Sequence, residues 1–370
     1  MKMQSLMRSA LALSCALAVR TAAASDATIW TVGEPDGRPA GFALAPDGFR
    51  DFLARDFGYE DKFYLVGHSD PATDFPYVLP GPADTWGGTW PTSGWRTHEV
   101  NILFGLDGQP EGDCLLAVDL ADYAKRFPPL VKVSVNGQDA WFRLNDPDDP
   151  AAAGRRYGQQ EPTVDTLSLT GHFERATPRR LEMPLRRGTL REGGNTVRVT
   201  VLEGSWILFD RVALEGPSSV RPTQPEGLYV RDVAAAPYEL DSDGKRVQPL
   251  LVDVEWLDAA PMLSVEVDGR ELFSRRVEAG RSRFEVPMPA VRRDRTSRYR
   301  VLCDGREVAS GRIERAPQPV QTLADYVDTR IGTAHSRWMI APGPWMPFGM
   351  VKLSPDNQNA GWQAGYQPSF

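Results

Sequence analysis

The sequence predicts a mostly β fold built of tandem β-sandwich domains. Many short apolar runs occur along the 370-residue chain, and several alternate with polar residues in the pattern of half-buried strands. Dipeptides that favour tight turns follow some of these runs, among them Asn136-Gly137 and Asp268-Gly269. The chain also contains 33 glycines, 31 prolines and 9% aromatic residues, which is typical of turn-rich β proteins.

Residues 1–24 predict an export signal. Basic residues precede an apolar stretch from Ser9 to Val19, and the alanines at 22–24 offer a cleavage site before Ser25. The stretch is shorter than the roughly 20 apolar residues that a membrane-spanning helix needs. We therefore expect an exported protein, periplasmic or extracellular, without a transmembrane segment. A lipid anchor at Cys15 is an alternative, although the residues before it fit that pattern poorly.

Residues 27–216 predict a first sandwich with a jelly-roll or galactose-binding-like arrangement. Val131, Val133 and Val135 fall on one face of a strand, and Asn136-Gly137 directly after them predicts a hairpin turn. The strands predicted in this part are Lys62 to Val66, Cys114 to Leu120, Val131 to Val135, Asn195 to Val201 and Trp206 to Asp210.

Residues 227–315 predict a smaller, immunoglobulin-like sandwich. Leu250 to Trp256 and Leu263 to Val267 alternate as strands, and Asp304-Gly305 predicts a further turn. The basic segment Arg292 to Arg300 indicates a loop and a solvent-facing strand edge, with a basic binding patch as the alternative. Proline-rich polar stretches at 217–226 and 315–321 predict linkers on either side of this domain.

Charge and composition exclude several classes of function. The net charge is −7, whereas nucleic-acid binding needs clustered lysines and arginines. The four histidines are scattered and form no zinc-binding pattern. Cys114 and Cys303 lie in different predicted domains, and their spacing predicts two isolated strand thiols rather than a metal site or redox pair.

Residues 322–370 carry four short motifs that resemble the start of glycoside hydrolase family 92, in that family's order and spacing. The segment is too short to hold a core of its own, so we expect a chain truncated within a further β-sandwich. Ala334 to Ala341 and Pro342-Gly-Pro344 replace stretches found in many members, which indicates a divergent branch. The matching motifs are Val327-Asp-Thr-Arg-Ile-Gly-Thr333, Pro347-Phe-Gly-Met-Val351, Leu353-Ser-Pro-Asp356, and Gly361-Trp362 with Gly365-Tyr366.

This resemblance implies calcium-dependent, inverting hydrolysis of α-mannosides, and a β-sandwich packed on a helical (α/α)₆ barrel. Inversion needs a general acid and a general base about 6.5 to 9.5 Å apart. In the family these carboxylates and the calcium ligands come from the helical part, so we expect no catalytic residue and no metal ligand in this chain. Trp362 and Tyr366 are expected to bind substrate, since Trp362 matches a pocket-lining position; packing at a domain interface is the alternative for Trp362.

A second resemblance covers most of residues 28–216. Ile29-Trp-Thr-Val-Gly33, Phe75-Pro-Tyr-Val78 and Trp206 to Asp210 are similar to the third domain of polysaccharide lyase family 4 proteins. That resemblance implies a carbohydrate-binding-like jelly roll and no lyase activity, because the lyase's catalytic domain is not represented.

Trp86, Trp90 and Trp95 lie close together in a loop rich in glycine, proline and threonine. Exposed loop aromatics can grip a glycan, so Trp86 and Trp90 are candidate binding residues, with burial as loop plugs the alternative. Asn145 to Asp149 offers oxygen ligands for calcium but lacks a spaced ligand pattern, and a solvated acidic turn is the simpler interpretation.

The sequence therefore predicts the N-terminal portion of an exported glycoside hydrolase that resembles α-mannosidases and acts on a mannose-containing glycan. The alternative is a non-catalytic carbohydrate-binding or adhesive β-sandwich protein.

Overall fold

The computed structural model describes residues 27–58, 62–89, 96–145, 167–257 and 260–328. These residues form a mostly β structure, as the sequence predicts. The strands of the first part are β1 (Ala27–Gly33), β2 (Tyr64–Leu65), β3 (Val78–Leu79), β4 (Glu99–Leu106), β5 (Cys114–Tyr123), β6 (Leu130–Val135), β7 (Gln138–Arg143), β8 (Arg179–Leu185), β9 (Gly193–Glu203) and β10 (Ile207–Gly216). Those of the second part are β11 (Leu228–Ala235), β12 (Leu240–Ser242), β13 (Lys245–Trp256), β14 (Met262–Val267), β15 (Arg270–Arg276), β16 (Gly280–Pro289), β17 (Arg295–Cys303) and β18 (Arg306–Arg315).

Helical structure in the described ranges is limited to single turns. The one α-helical turn, α1 (Pro71–Asp74), starts at Asp70, whose carboxylate accepts a hydrogen bond from the backbone N–H of Ala72. The 3₁₀ turns are Gly48–Asp51, Thr85–Gly87, Ser168–Thr170 and Leu323–Tyr326. None of the helices in these ranges has the length and hydropathy to span a bilayer.

The first sandwich consists of two five-stranded sheets. One has the order β1-β10-β5-β8, with β3 also paired to β10, and the other has the order β2-β4-β9-β6-β7. The predicted three-valine face is confirmed, because Val131, Val133 and Val135 are all buried. The apolar residues of β9 alternate in the same way and point to the same core, which closes around the buried side chains of Trp206, Tyr77 and Phe209.

The second sandwich consists of two four-stranded sheets around a separate core. In one sheet β13 pairs with β11, β12 and β16, and the other has the order β15-β14-β17-β18. Leu250, Val252 and Val254 from the first of these sheets meet Val265 and Val301 from the second. This arrangement, with β14 and β17 paired at the centre of one sheet, is that of an immunoglobulin-like sandwich.

The predicted hairpin turns are confirmed. Asn136-Gly137, Asp268-Gly269 and Asp304-Gly305 each have positive φ at both positions and join directly paired strands, as type I′ turns require. A fourth turn of the same kind, Asp243-Gly244, joins β12 to β13 and was not among the predicted turns. These dipeptides tolerate left-handed backbone, which a β-branched residue would not.

The basic segment 292–300 was predicted to form a loop and a solvent-facing strand edge, and the prediction is correct for the loop and wrong for the edge. Residues 292–294 form the loop before β17. β17 is an interior strand, paired on one side with β14 and on the other with β18. Its arginines lie on the solvent-facing side, where Arg300 bonds Glu266 at 2.9 Å and Glu307 at 2.6 Å across the neighbouring strands. A strand with many charged residues resembles an edge strand when only its sequence is read. In this strand the charged side chains instead form ion pairs with the neighbouring strands, on the solvent-facing side of the sheet.

The proline-rich stretch at 217–226 is docked rather than free. The backbone N–H of Arg221 donates to the Asp107 carboxylate (2.8 Å), and the N–H of Asp107 donates back to the carbonyl of Arg221 (3.0 Å). Thr223 N–H donates to the carbonyl of Gly105 (3.0 Å). Pro222 lies between these two donors, so its missing N–H costs no pairing. The stretch thus extends the end of β4 instead of spanning solvent.

A small apolar cluster joins the two sandwiches. Leu65 and Leu103 on the first sandwich pack against Tyr229 of β11, and all three are buried. The Tyr229 hydroxyl donates to the backbone carbonyl of Phe104 at 2.8 Å. Beside this cluster, Arg231 pairs with Glu255 at 2.7 Å and lies over the ring of Phe63. The two sandwiches therefore contact each other through packed side chains as well as through the chain that connects them.

Candidate functional site

Trp86 is the one predicted binding residue that the described ranges include. It lies in the 3₁₀ turn Thr85–Gly87 and is half-buried. Its ring meets Phe49 edge-on with centroids 5.1 Å apart, and it meets Phe52 at 6.3 Å. Its side chain also lies near the Asp84 carboxylate and helps to lower the pKa of that group. These contacts hold the ring in place and leave part of it accessible to solvent.

Asp84 is a buried carboxyl group at the base of this loop. It accepts hydrogen bonds from the hydroxyl of Ser205 (2.5 Å) and from the backbone N–H of Gly81 (2.8 Å). Burial raises the pKa of Asp84 to about 7, against the lowering effect of these donors. Through these hydrogen bonds Asp84 connects the loop that carries Trp86 to the turn before β10. Its role is therefore structural.

His98 is buried against the same loop and contacts two of its neighbouring backbone carbonyl groups. One ring nitrogen lies 2.5 Å from the carbonyl oxygen of Gly87, and the other lies 3.4 Å from that of Gly58. The ring packs on Phe52 with centroids 5.3 Å apart. Burial lowers the pKa of His98, against the raising effect of the two carbonyl oxygens. The ring connects the start of β4 to the turn at Gly87 and to Gly58. No motif in the sequence indicates this role.

A small surface cleft opens at the edge of β2, next to Gly58. Lys62 and Asp74 form an ion pair across part of it, with 3.7 Å between nitrogen and oxygen. Glu99 and Asn101, which belong to β4, also line the cleft. The remaining lining residues are Phe57, Gly58, Phe63, Tyr64, Pro76 and Val100. The cleft thus combines aromatic walls with a few polar groups, and it has room for about one water molecule.

An exposed tryptophan lies on the same sheet, on its solvent side. Trp141 of β7 is 52% exposed, while the next residue, Phe142, packs against the core. The ammonium of Lys132 lies over the indole ring, 5.7 Å from its centroid, and is paired with Asp139 at 3.2 Å. Trp141 is not among the binding residues predicted from the sequence. The available signal was the Trp141-Phe142 pair, because adjacent residues of a half-buried strand point to opposite faces.

The other predicted site residues lie outside the described ranges. These are Trp90, Trp362 and Tyr366, together with most of the acidic segment 145–149. Their roles stay predictions.

The described ranges do not fit a metal site. No three His, Cys, Asp or Glu side chains come together there in a metal-binding group. Of the buried carboxyl groups, Asp210 accepts hydrogen bonds from the backbone N–H groups of Gly37 (2.9 Å) and Arg38 (3.1 Å), and burial raises its pKa to about 6. Like Asp84, it does not line the cleft and joins loops to strands.

A β-sandwich with an exposed tryptophan on an open sheet and a polar cleft at the edge of that sheet has the features of a carbohydrate-binding-like module. The profile of the CBM-like family, polysaccharide lyase family 4, domain III, matches residues 28–214, just over half of the chain. The chain belongs to this family. A second profile, that of the glycosyl hydrolase family 92 N-terminal domain, matches residues 326–369. Both resemblances seen in the sequence are thereby confirmed.

Comparison with solved structures gives only distant similarity. A GH2 β-galacturonidase from Eisenbergiella tayi bound to galacturonate is 12% identical, with 66% of this chain and 39% of that chain covered and a TM-score of 0.21. A β-D-mannosidase from Dictyoglomus thermophilum is 10% identical, with 60% and 30% covered and a TM-score of 0.20. The chain spans less than half the length of these enzymes, and similarity at this level supports no argument. A sequence search of curated proteins finds no match.

Proposed function

We propose that this chain supplies the N-terminal, carbohydrate-binding-like part of an exported glycoside hydrolase that acts on α-mannosides. The observation that carries this proposal is the family 92 N-terminal match at residues 326–369, in the same chain as the carbohydrate-binding-like match at 28–214 and separated from it by the second sandwich. Two profiles from carbohydrate-active enzymes on one chain support a glycan as the substrate. The mannoside preference, the calcium requirement and the periplasmic or extracellular location are proposed from the family 92 resemblance and the signal-like residues 1–24.

In this proposal the described sandwiches bind or brace, and the chemistry takes place elsewhere. The carboxyl groups Asp84 and Asp210 are buried and do not line the cleft, so neither is placed to reach a substrate as an acid or base. An inverting glycosidase needs two carboxyl groups that face a shared sugar site with room for a water molecule. We propose that these groups, and the ligands of calcium, belong to a helical module.

The test is hydrolysis of an aryl α-mannoside by the gene product read beyond codon 370, in calcium and in a chelator. We expect turnover with inversion that the chelator abolishes. We expect no turnover from the 370-residue chain alone, and measurable hydrolysis by it would refute the placement of the catalytic groups. A stop codon directly after Phe370 would favour the alternative, a non-catalytic carbohydrate-binding or adhesive protein.

A further inference from the structure

Two rows of side chains cross the solvent side of the sheet β2-β4-β9-β6-β7 in direct register. The strand pairing places Trp141 opposite Lys132, Lys132 opposite Thr200, and Thr200 opposite Glu99. The second row, two residues further along each strand, consists of Asp139, Ser134, Arg198 and Asn101. We call these eight residues the outer face. Residues that share a face and a register position are lateral neighbours. Thr200 and Asn101 are 9% and 8% exposed, so the other six residues form the accessible part of the face.

The outer face begins at the exposed tryptophan and ends at the cleft. Glu99 and Asn101, the last residues of the two rows, also line the small cleft at the edge of β2. Between β7 and β4 there are three strand spacings of about 4.8 Å, so the face is about 14 Å long. It is long enough for a ligand of more than one ring. Beyond Asn101 the same side of the sheet is covered, since Leu103 packs against Tyr229 of the second sandwich.

The tryptophan has contacts that favour one orientation of its ring. Lys132 lies over the indole ring and pairs with Asp139, so the three side chains form a chain of contacts. A ring with a favoured orientation loses less entropy when a ligand stacks on it. A ring that is 52% exposed is suited to an apolar ligand face rather than to the packing of the core.

The charges of the outer face favour an uncharged ligand. Lys132 and Arg198 are balanced by Asp139 and Glu99, so the face carries no net charge. An anionic polymer would need an excess of cations. A protein partner would need a broad apolar centre, whereas Trp141 is the only large exposed apolar residue on this face among those the structure describes. A neutral sugar presents an apolar C–H surface to a ring and hydroxyl groups to polar neighbours, and it fits both conditions.

We infer that the outer face is a binding track for a neutral oligosaccharide, with one pyranose stacked on Trp141 and later units directed across Lys132 and Arg198 toward the cleft at Glu99. This inference rests on the proposed function for the choice of an α-mannoside as the probe. It differs from the sequence-based expectation, which placed sugar binding at Trp86 and Trp90 and at Trp362 and Tyr366.

The experiment is calorimetric titration of the full chain with α-mannose, α-mannotriose and soluble α-mannan. We expect affinity to rise from the monosaccharide to the trisaccharide, and Trp141→Ala to weaken binding of every ligand at least tenfold. Glu99→Gln should weaken binding of the longer ligands only. Tyr326→Ala is the matched control, since Tyr326 is an aromatic residue that is 63% exposed and far along the chain from this face. Unfolding temperatures of all variants should match the parent, because the substituted side chains are accessible to solvent.

Each other outcome overturns a distinct part of the inference. Binding that survives Trp141→Ala but is lost in Trp86→Ala would place the site in the loop and leave the proposed function standing. Preference for polygalacturonate, with affinity that falls steeply between about 0.05 and 0.5 M salt, would overturn the neutral ligand. Absence of binding to all three mannosides would overturn the track itself, while hydrolysis by the longer gene product would still decide the proposed function separately.

Discussion

The contact between the two sandwiches can be tested at Tyr229. Its side chain is 5% exposed and lies in the apolar cluster with Leu65 and Leu103, while Leu228 and Val230 on either side of it belong to the core of the second sandwich. Tyr229 therefore contributes to the stability of both sandwiches, although it is part of only one of them.

The expected magnitudes follow from these contacts. Tyr229→Phe removes the hydroxyl that donates to Phe104 and should cost about 1 kcal/mol. Tyr229→Ala also removes the buried ring and should cost about 3 kcal/mol, near the lower end for a large aromatic because the junction can partly close. Since 1.4 kcal/mol is tenfold in an equilibrium constant, local opening in Tyr229→Ala should become about a hundredfold more frequent.

Amide hydrogen exchange measured separately on each sandwich is the assay. We expect protection to fall in the strands of both sandwiches, because each is stabilised by contact with the other. Tyr326→Ala is the control and should change stability by no more than about 0.5 kcal/mol, as exposed positions usually do. Loss of protection confined to β11 and its neighbours, with β4 and β9 unchanged, would refute the reasoning and make Tyr229 a core residue of the second sandwich alone.

Three further predictions concern single positions. Because burial raises the pKa of Asp84 from 3.8 to about 7, the folded state binds this proton more tightly than the unfolded chain does. The contribution of Asp84 to the free energy of unfolding should thus fall as pH rises across that interval, by on the order of 4 kcal/mol. Urea unfolding at several pH values should show a smaller slope in Asp84→Asn, where the contribution of Asp210 remains. Gly137→Ala should cost about 1 kcal/mol by thermal unfolding, since φ there is 87°, whereas Gly108→Ala, also in open space but without positive φ, should be nearly neutral. Gly194→Ala should cost about 2 kcal/mol in the same assay, because an added Cβ would lie 2.5 Å from the backbone carbonyl oxygens of Val230 and Arg231; an unchanged unfolding temperature would contradict that close approach.

Local rules made much of the fold predictable from the sequence. Alternating valines such as Val131 and Val133 mark a buried face because strand side chains have a period of two. Asn136-Gly137 sets a register because few residue pairs tolerate the left-handed backbone of its turn. Both features depend on residues close in the chain, so no knowledge of distant partners was needed.

Features that depend on distant residues could not be predicted in this way. The stretch at 217–226 has the composition of a linker, but it is docked because Asp107, over a hundred positions away, accepts a hydrogen bond from Arg221. The sequence places Trp141 on a strand without showing which face that strand turns to solvent. Its pairing with Lys132 and the polar row behind it depend on the order of strands in the sheet.

The docked connections have a consequence for how a bound polymer would be presented. The stretch after β18 is also tied down, because Gln321 N–H donates to the carbonyl of Glu239 and Glu239 N–H donates to the carbonyl of Pro319, each at 2.8 Å. The end-to-end distance of a flexible linker grows with the square root of its length. A longer linker therefore lowers the effective concentration of one end near the other. Connections that are hydrogen-bonded to the sandwiches restrict this range of distances. A glycan bound to the first sandwich would then lie at a fixed distance and angle from Thr322. Insertions that lengthen either connection should preserve this geometry only if they leave the backbone hydrogen bonds of the connections in place.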